Sequence, residues 1–356
     1  MLTVITFLIV LSVLVLVHEF GHFIVAKRAG ARVEEFGLGF PPRLLSYRKG
    51  ETLYSLNLIL FGGFVKIYGE DDAEKREPGS FGALRIGKRA QVLAAGVIMN
   101  ALLALVILSV ISVIGRPTVL TDANRAHATD IAIHIVGVLP GGPAAEAGIK
   151  SGDRITGVIS PEGTVEITQE EQVPEIIGRF QGESITLSIE RGSETLDISL
   201  VPRENPPPGE GYLGIALAEV GTVRTSWYQA PVEAVATAYG LIAVTVKVIA
   251  LMVSGGGNVA QNLTGPVGIA TLVGDAARLG IIYLLQLTAF LSLHLAILNI
   301  LPFPALDGGR LAFLAVEKLK GSPVTPDIER ITHGIGFALL MLLILWVTWN
   351  DIARLL

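Results

Sequence analysis

Two histidines and a glutamate interrupt the first apolar segment of the chain, in the stretch VLVHEFGHFIVAK. His18 and His22 are four residues apart, so on a helix both imidazoles project from one face and can bind one metal ion. Glu19 follows His18 directly, where its carboxylate could act as a general base toward water at that metal. Ionisable side chains at such depth in an apolar segment indicate a functional site. The pattern therefore predicts metal-dependent hydrolysis rather than a pair of structural histidines.

The histidine pair needs a third protein ligand, because a catalytic zinc usually has three such ligands and a water. The chain has no cysteine, so this ligand must be a histidine or a carboxylate. Asp307 is the best candidate, since it follows an apolar helix that two prolines break in LNILPFPALDGGR, and such a break must be buried or line a watery cavity. The alternative is that Asp307 only caps the helix that begins near Gly308. The histidines outside the motif fit less well by position: His127, His134, His294 and His333.

The elements that must position these residues are membrane-spanning helices. Of the 356 residues, 51% are hydrophobic, and the mean hydropathy of +0.59 is typical of an integral membrane protein. Four runs are long enough to cross a bilayer, which takes ~20 apolar residues. They are Leu2–Ala26, Ala90–Ile114, Ile281–Leu301 and Ile331–Val347. A fifth run, Val232–Val253, contains Lys247, and we expect it to lie at the interface or re-enter rather than to cross.

Charge asymmetry predicts the orientation. Residues 27–89 contain twelve Lys and Arg against eight Asp and Glu, whereas residues 120–230 contain seven against sixteen. By the positive-inside bias, 27–89 and 310–330 face the cytoplasm, and both termini and the acidic segment face outward. We therefore expect the chain to cross a membrane several times. No basic patch with interleaved aromatic residues suggests nucleic acid as a partner.

Two further segments interrupt the helices. Tyr54–Gly69 mixes β-branched and aromatic residues around a Gly-Gly break, which predicts a β-hairpin that touches the membrane. Residues 121–222 contain short alternating stretches typical of a mainly-β soluble domain. The sequence thus predicts an α-helical polytopic membrane protein of about four transmembrane helices, with an inserted β domain. Its parts are an N-terminal membrane half (1–120), the soluble domain (121–222) and a C-terminal membrane half (223–356).

HEFGH in the first span and NILPFPALDGG near the last one resemble the motifs of the bacterial intramembrane zinc metalloproteases of the site-2 protease family. Four other segments resemble family segments in the same order: EFGLGFPPRL, FGGFVKIYGE, AAGVIMNALLAL and GPVGIA. The resemblance implies a Zn²⁺ ion bound by His18, His22 and Asp307, with Glu19 as the base. It also implies that the β segment holds unwound substrate as an added strand; the residues concerned are Gly62, Gly63, Phe64, Val65 and Lys66.

Asn299 lies where the family carries an asparagine before its Pro-x-Pro. Two roles stay open for this residue. Its amide could bind the substrate backbone or polarise the scissile carbonyl, or it could cap carbonyls of the broken helix.

The soluble domain is similar to bacterial PDZ domains through GVLPGGPAAEAGIKSGDRITGV, and a single copy is present. The stretch GYLGIAL resembles the loop and strand that receive a peptide end. The groove residues that this implies are Gly211, Tyr212, Leu213, Gly214 and Ile215. Either the domain binds peptide C-termini, or it binds none and only excludes bulky substrates.

The function expected from the resemblance is hydrolysis of peptide bonds within or near the transmembrane segments of single-span membrane proteins. An anti-sigma factor or a remnant signal peptide, already trimmed by another protease, would be the substrate. The alternative is a non-proteolytic membrane metal-binding protein or a scaffold that presents a PDZ domain. Glu19 separates the two readings, since neither alternative needs a carboxylate base beside the metal ligands.

Overall fold

The computed structural model describes residues 2–70, 77–122, 124–192, 194–207, 209–254 and 264–355. Its helices are α1 (Leu2–Ala29), α2 (Ile86–Ile114), α3 (Pro143–Glu146), α4 (Gln172–Ile177), α5 (Ala230–Val253), α6 (Pro266–Leu279), α7 (Ile281–Ile300), α8 (Asp307–Lys320) and α9 (Pro326–Leu355). Its strands are β1 (Val33–Lys49), β2 (Thr52–Ile67), β3 (Arg116–Val119), β4 (Ala128–Val138), β5 (Arg154–Ser160), β6 (Gly163–Glu166), β7 (Ile185–Arg191), β8 (Glu194–Leu200) and β9 (Ile215–Val223).

The chain forms two compact units. The first comprises residues 1–108, 231–275 and 285–356, and the second comprises 109–230 and 276–284. The first unit contains the long apolar helices and the strands β1 and β2, and the second contains the remaining strands. The predicted soluble domain, 121–222, lies within the second unit.

Five helices among the described residues are long and apolar enough to cross a membrane, by length and composition: α1, α2, α5, α7 and α9. Four of them coincide with the predicted spans. The fifth, α5, is an uninterrupted helix of 24 residues through Lys247, because lysine is a good helix former whatever its surroundings. Its placement at the interface stays a prediction. Together with the apolar composition, these helices make the chain a multi-pass membrane protein.

The β segment of the first unit differs from its predicted form. Tyr54–Gly69 is not a hairpin in itself: it belongs to one long strand, β2, which pairs with β1 across a turn at Gly50 and Glu51. Gly50 has φ +63°, which suits a tight turn, whereas Gly62 and Gly63 lie inside β2. The Gly-Gly pair therefore marks a bend and a close approach of two backbones, not the reversal of the chain.

A bend in each strand lets β1 and β2 pair in three places. Val33–Leu38 pairs with Gly63–Ile67, residues 35–38 also pair with residues 53–56, and residues 43–49 pair with residues 52–57. The parts of β1 and β2 nearest the turn at Gly50 and Glu51 expose large apolar side chains, which fits the predicted contact with the membrane. The most exposed of them are Leu44, Leu45, Tyr47 and Leu58.

The second unit is a seven-stranded sheet in the order β3-β9-β4-β5-β7-β8, with β6 paired to β5. Alternate residues of β7 (Ile185, Leu187 and Ile189) are fully buried, as expected for strands with one face on a core. The short helix α4 contributes Val173 and Ile177 to that core. The alternating stretches of residues 121–222 correspond to strands of this sheet, among them β4, β7 and β8.

Candidate metal centre

Helix α1 brings the two motif histidines together. Nε2 of His18 and Nε2 of His22 are 3.1 Å apart, and both side chains are buried. Gly21 lets α1 lie against α2, since a Cβ at this position would be 2.5 Å from the carbonyl oxygen of Ala95. Close contact with α2 on this face therefore holds the histidine-bearing turn of α1 in place.

Asp307 completes the cluster from the other end of the chain. Helix α7 ends at Ile300, the Pro-Phe-Pro segment turns the backbone, and Asp307 is the first residue of α8. Its Oδ2 atom is 3.0 Å from Nε2 of His18 and 3.4 Å from Nε2 of His22. The capping alternative is not supported, because the N-cap residue is Leu306 and no side chain caps this helix.

The three ligand atoms fit a metal ion. They lie within 4.8 Å of one another, and Oδ2 of Asp307 is buried with no hydrogen-bond donor in the described part of the chain. Bonds of about 2.0–2.2 Å in a tetrahedral zinc site place ligand atoms about 3.3 Å apart, close to the separations here. Two imidazole nitrogens and one carboxylate oxygen suit Zn²⁺. Three ligands also leave a fourth position for water, as a catalytic site requires.

Gly96 of α2 provides the space for the two imidazoles. A Cβ at Gly96 would lie 2.4 Å from Nε2 of His22 and 2.7 Å from Nε2 of His18. Gly96 was not among the site residues that the motifs predict, and neither was Asn100, whose side chain contacts His18. The glycine and asparagine four residues apart in an apolar helix were the available sign, because a buried amide at that depth needs a reason.

Glu19 faces the cavities on both sides of the cluster. A cavity of about 740 Å³ is lined by His18, Glu19, His22 and Asp307, and a second of about 280 Å³ is lined by His18, Glu19 and Asp307 as well. Because Glu19 borders both spaces, its carboxylate can reach water or a bound group beside the three ligand atoms. This is the position that a general base needs.

Strand β2 borders the larger cavity with the predicted substrate-binding residues Phe64, Val65 and Lys66. The two predicted glycines lie against α1 instead. A Cβ on Gly63 would be 3.7 Å from Cγ of Glu19, and one on Gly62 would be 3.9 Å from Cγ1 of Val15. This part of β2 therefore lies beside the turn of α1 that carries Glu19. The charged side chains Glu70 and Arg310, which form an ion pair, line the same cavity.

Asn299 lies in the last turn of α7 and lines the smaller cavity with Asn100 and Glu19. Among the described residues, its side chain makes no hydrogen bond to a carbonyl of the broken helix. The described contacts therefore do not show the capping role, and Asn299 borders the smaller cavity.

The predicted peptide groove belongs to the second unit. Leu213 is buried in the core, and Gly214, at φ +71°, accepts a hydrogen bond from the N–H of Leu139. Ile215 begins β9. Strand β3 pairs with β9 only from Val220 onward, so the first half of β9 has its ladder partner, β4, on one side. A Cβ on Gly178, at the end of α4, would touch the ring of Tyr212. The five predicted groove residues therefore lie at the start of β9, next to α4.

Comparison with known proteins gives the family. The family model described as Peptidase family M50 matches residues 6–343. The zinc metalloprotease RasP of Oceanobacillus iheyensis is 30% identical, and the similarity covers 100% of both chains. The zinc metalloprotease RasP of Geobacillus kaustophilus is 32% identical over 99% of this chain and 98% of its own. The regulator of sigma-W protease RasP of Bacillus subtilis is 30% identical over 99% of both chains.

The similarity to these relatives extends along nearly the whole chain. The family resemblance drawn from the HEFGH and NILPFPALDGG motifs is therefore confirmed. An enzyme of this kind uses zinc, and the ligand atoms of His18, His22 and Asp307 lie close enough together to hold one metal ion. The chain is a zinc metalloprotease and belongs to peptidase family M50, the site-2 protease family.

Proposed function

We propose that the zinc ion is bound by His18, His22 and Asp307, and that Glu19 is the general base of an intramembrane peptidase. The observation that carries the proposal is the convergence of three ligand atoms within 4.8 Å, at a cavity that Glu19 also lines. The family supports intramembrane protease activity, and the motif lies in α1, which is long and apolar enough to span the membrane. No specific feature favours a metal-carrier or scaffold function.

Zinc at such a site lowers the pKa of water to about 7 and polarises a carbonyl oxygen. Glu19 takes the proton from the attacking water and later delivers it to the leaving amine. His18, His22 and Asp307 hold their lone pairs toward one point, so little rearrangement is needed before the reaction. The amide of Asn299 faces the smaller cavity, where it can donate to a substrate carbonyl.

The proposed substrate lies along Gly62–Lys66 as an additional strand. A transmembrane helix must unwind before its peptide bond can be attacked, and pairing with a strand replaces the lost backbone hydrogen bonds. Phe64, Val65 and Lys66 line the 740 Å³ cavity, and Gly63 lies beside Glu19. A strand at this position would therefore lead an extended peptide past the base.

The proposed substrates are single-span membrane proteins that another protease has already trimmed. One relative carries the name regulator of sigma-W protease, which supports an anti-sigma factor as the substrate class for this chain. A remnant signal peptide has the same form, a single apolar span without a large outer domain.

The second unit is proposed to be a PDZ domain on the outer side of a bacterial inner membrane. Residues 120–230 carry sixteen acidic against seven basic side chains, which supports the outward orientation. The first half of β9 could take up a peptide end beside Gly211–Gly214. Whether it does so, or only keeps bulky substrates out, is tested by adding a peptide with a free C-terminus and its amidated form to the full chain. Binding of the free form alone would support peptide recognition.

The decisive experiment compares the wild type, Glu19→Gln and Glu51→Gln on a truncated single-span reporter in liposomes, with zinc measured in each. Glu51 lies in the exposed turn between β1 and β2 and serves as the matched acid-to-amide control. We expect equal zinc in all three and cleavage by the wild type and Glu51→Gln only, with a loss of at least about 10²-fold in Glu19→Gln. An active Glu19→Gln variant would exclude Glu19 as the base.

A further inference from the structure

One face of α2 is directed at the two imidazoles. Val92, Gly96 and Asn100 are four residues apart, so they lie in one row along the helix. The carbonyl oxygen of Val92 is 2.8 Å from Nδ1 of His22, and Gly96 leaves room for both rings. Asn100 then lies one turn beyond, with its side chain at His18.

The Val92 contact shows what an imidazole of this site requires. Nε2 of His22 faces Asp307, so in the metal-binding tautomer the ring proton is on Nδ1. A protonated Nδ1 is a donor and needs an acceptor, which the carbonyl oxygen of Val92 provides. Such a partner on the far ring nitrogen fixes both the tautomer and the ring orientation.

His18 has the same requirement, and Asn100 is the residue that faces it. Nε2 of His18 points at Asp307, and Nδ1 is 3.3 Å from the Nδ2 atom of Asn100. Two donors would then face each other, while Oδ1 of Asn100 is buried without a hydrogen-bond partner among the described residues. A half-turn of the amide exchanges these two atoms without changing the shape of the side chain. It places the unpartnered acceptor where His18 needs one.

We propose that Asn100 is a positioning residue of the metal centre, which accepts the Nδ1–H of His18 through Oδ1 and so holds Nε2 toward the ion. This inference rests on the proposed ligand set. Asn100 does not touch the ion itself; it acts through His18. Helix α2 thereby supplies an acceptor to each imidazole: the backbone carbonyl oxygen of Val92 to His22, and Oδ1 of Asn100 to His18.

The surroundings of Asn100 support a fixed role. Asn100 and Ser292 are both 0% exposed. The hydroxyl of Ser292 in α7 donates to the backbone carbonyl oxygen of Asn100 at 2.8 Å. This bond ties α2 to α7 at the level of the histidines.

The test measures zinc affinity of the full chain in detergent by competition with a chromophoric chelator. Asn100→Leu removes the acceptor, and Asn100→Asp keeps one. We expect about 10–100-fold weaker zinc binding for Asn100→Leu, the usual effect of losing such a partner. Asn100→Asp should bind zinc within a few-fold of the wild type. Ser112→Ala, which changes a buried polar side chain of α2 about 18 Å further along the helix, should leave the affinity unchanged.

The visible spectrum of the Co²⁺-substituted protein provides a second readout. The tetrahedral bands should change in Asn100→Leu and return in Asn100→Asp. The proposal is overturned if Asn100→Leu binds zinc like the wild type, or if Asn100→Asp is as weak as Asn100→Leu. If leucine does not give monodisperse protein, Asn100→Ala takes its place with the same two outcomes.

His18→Ala separates this inference from the ligand set on which it rests. If His18→Ala keeps wild-type zinc affinity, the proposed ligands themselves are wrong, whatever the Asn100 variants do. If His18→Ala loses zinc while Asn100→Leu does not, the ligand set stands and only the positioning role fails.

Discussion

The backbone N–H of Ala305 donates to Nδ1 of His333 over 2.8 Å, and this bond links α9 to the segment that presents Asp307. Ala305 has φ +77°, a conformation that costs a residue with a side chain about 1 kcal/mol or more. The surrounding structure must therefore hold it there. Gly336 of α9 helps, because a Cβ at this position would lie 2.4 Å from Cβ of Pro304. Helix α9 thus fixes the turn from which the third ligand projects.

We expect His333→Phe to weaken zinc retention, because it leaves the N–H of Ala305 without its acceptor while keeping an aromatic ring beside Phe313. Loss of this part-buried hydrogen bond costs about 0.5–1.5 kcal/mol, enough to shift the turn that carries Asp307. His333→Gln, which supplies a carbonyl acceptor, should recover part of the loss. Zinc remaining after a fixed exposure to chelator measures both. Retention by His333→Phe equal to the wild type would show that the bond does not hold Asp307.

Gly96→Ala should abolish tight zinc binding. Its methyl group would lie 2.4 Å from Nε2 of His22, so the imidazoles or α2 must move. Helix propensity acts in the opposite direction, since alanine is favoured over glycine by about 1 kcal/mol in a helix interior. We expect at least a tenfold loss of zinc affinity.

Gly87→Ala is the matched control for that change. Gly87 lies in the same helix, and nothing comes within 4 Å of a Cβ there. Zinc affinity of Gly87→Ala should equal that of the wild type in the same chelator titration. Equal losses in both variants would point to α2 as a whole and not to the contact with the histidines.

The sequence was sufficient to single out His18, His22 and Asp307, which the structure brings together, because HExxH and the broken helix are recognisable from residue types and spacing. The apolar runs also indicated all five long helices, and the placement of α5 at the interface stays a prediction. The β segment was predicted less well. A Gly-Gly pair such as Gly62 and Gly63 is typical of a turn. The bend in β2 follows only from the long-range pairing, in which Leu38 of β1 pairs with both Gly63 and Leu56 of β2. Gly96 and Asn100 were missed because their partners lie more than 70 residues away in the sequence.

Gly62→Ala should slow cleavage without loss of zinc. Gly62 has φ +127°, where only glycine is unstrained, and it lies beside Val15 in the helix that carries Glu19. An added methyl is strained at this φ and would lie 3.2 Å from Cε2 of Phe40, so β2 must shift locally, and a misplacement of about 1 Å can cost about 10²-fold in rate. Gly163→Ala carries the same kind of strain at φ +132° in open space within the second unit. We expect unchanged cleavage there, measured with the truncated single-span reporter. Equal rates for the two variants would argue against substrate alignment by β2.

The last prediction concerns the pH dependence of the second unit. Burial lowers the pKa of His134 below its ordinary value of about 6.5, because desolvation penalises the charged ring; a contact of Nδ1 with the carbonyl oxygen of Gly152 opposes this only in part. The unfolded state therefore binds more protons than the folded state at pH values just below 6.5. The contribution of His134 to the free energy of unfolding is therefore fully present above pH 6.5 and decreases as the pH falls below that value.

Amide hydrogen exchange of β4, which contains His134, measures this effect in the full chain. After correction for the intrinsic exchange rates, protection of Ala128–Val138 should decrease between pH 7 and pH 5 in the wild type. His134→Gln cannot titrate, so its corrected protection should vary less with pH over the same range. A slope that persists undiminished in His134→Gln would assign the pH dependence to another group. A flat wild-type profile would mean that the ring has the same pKa in the folded and the unfolded state.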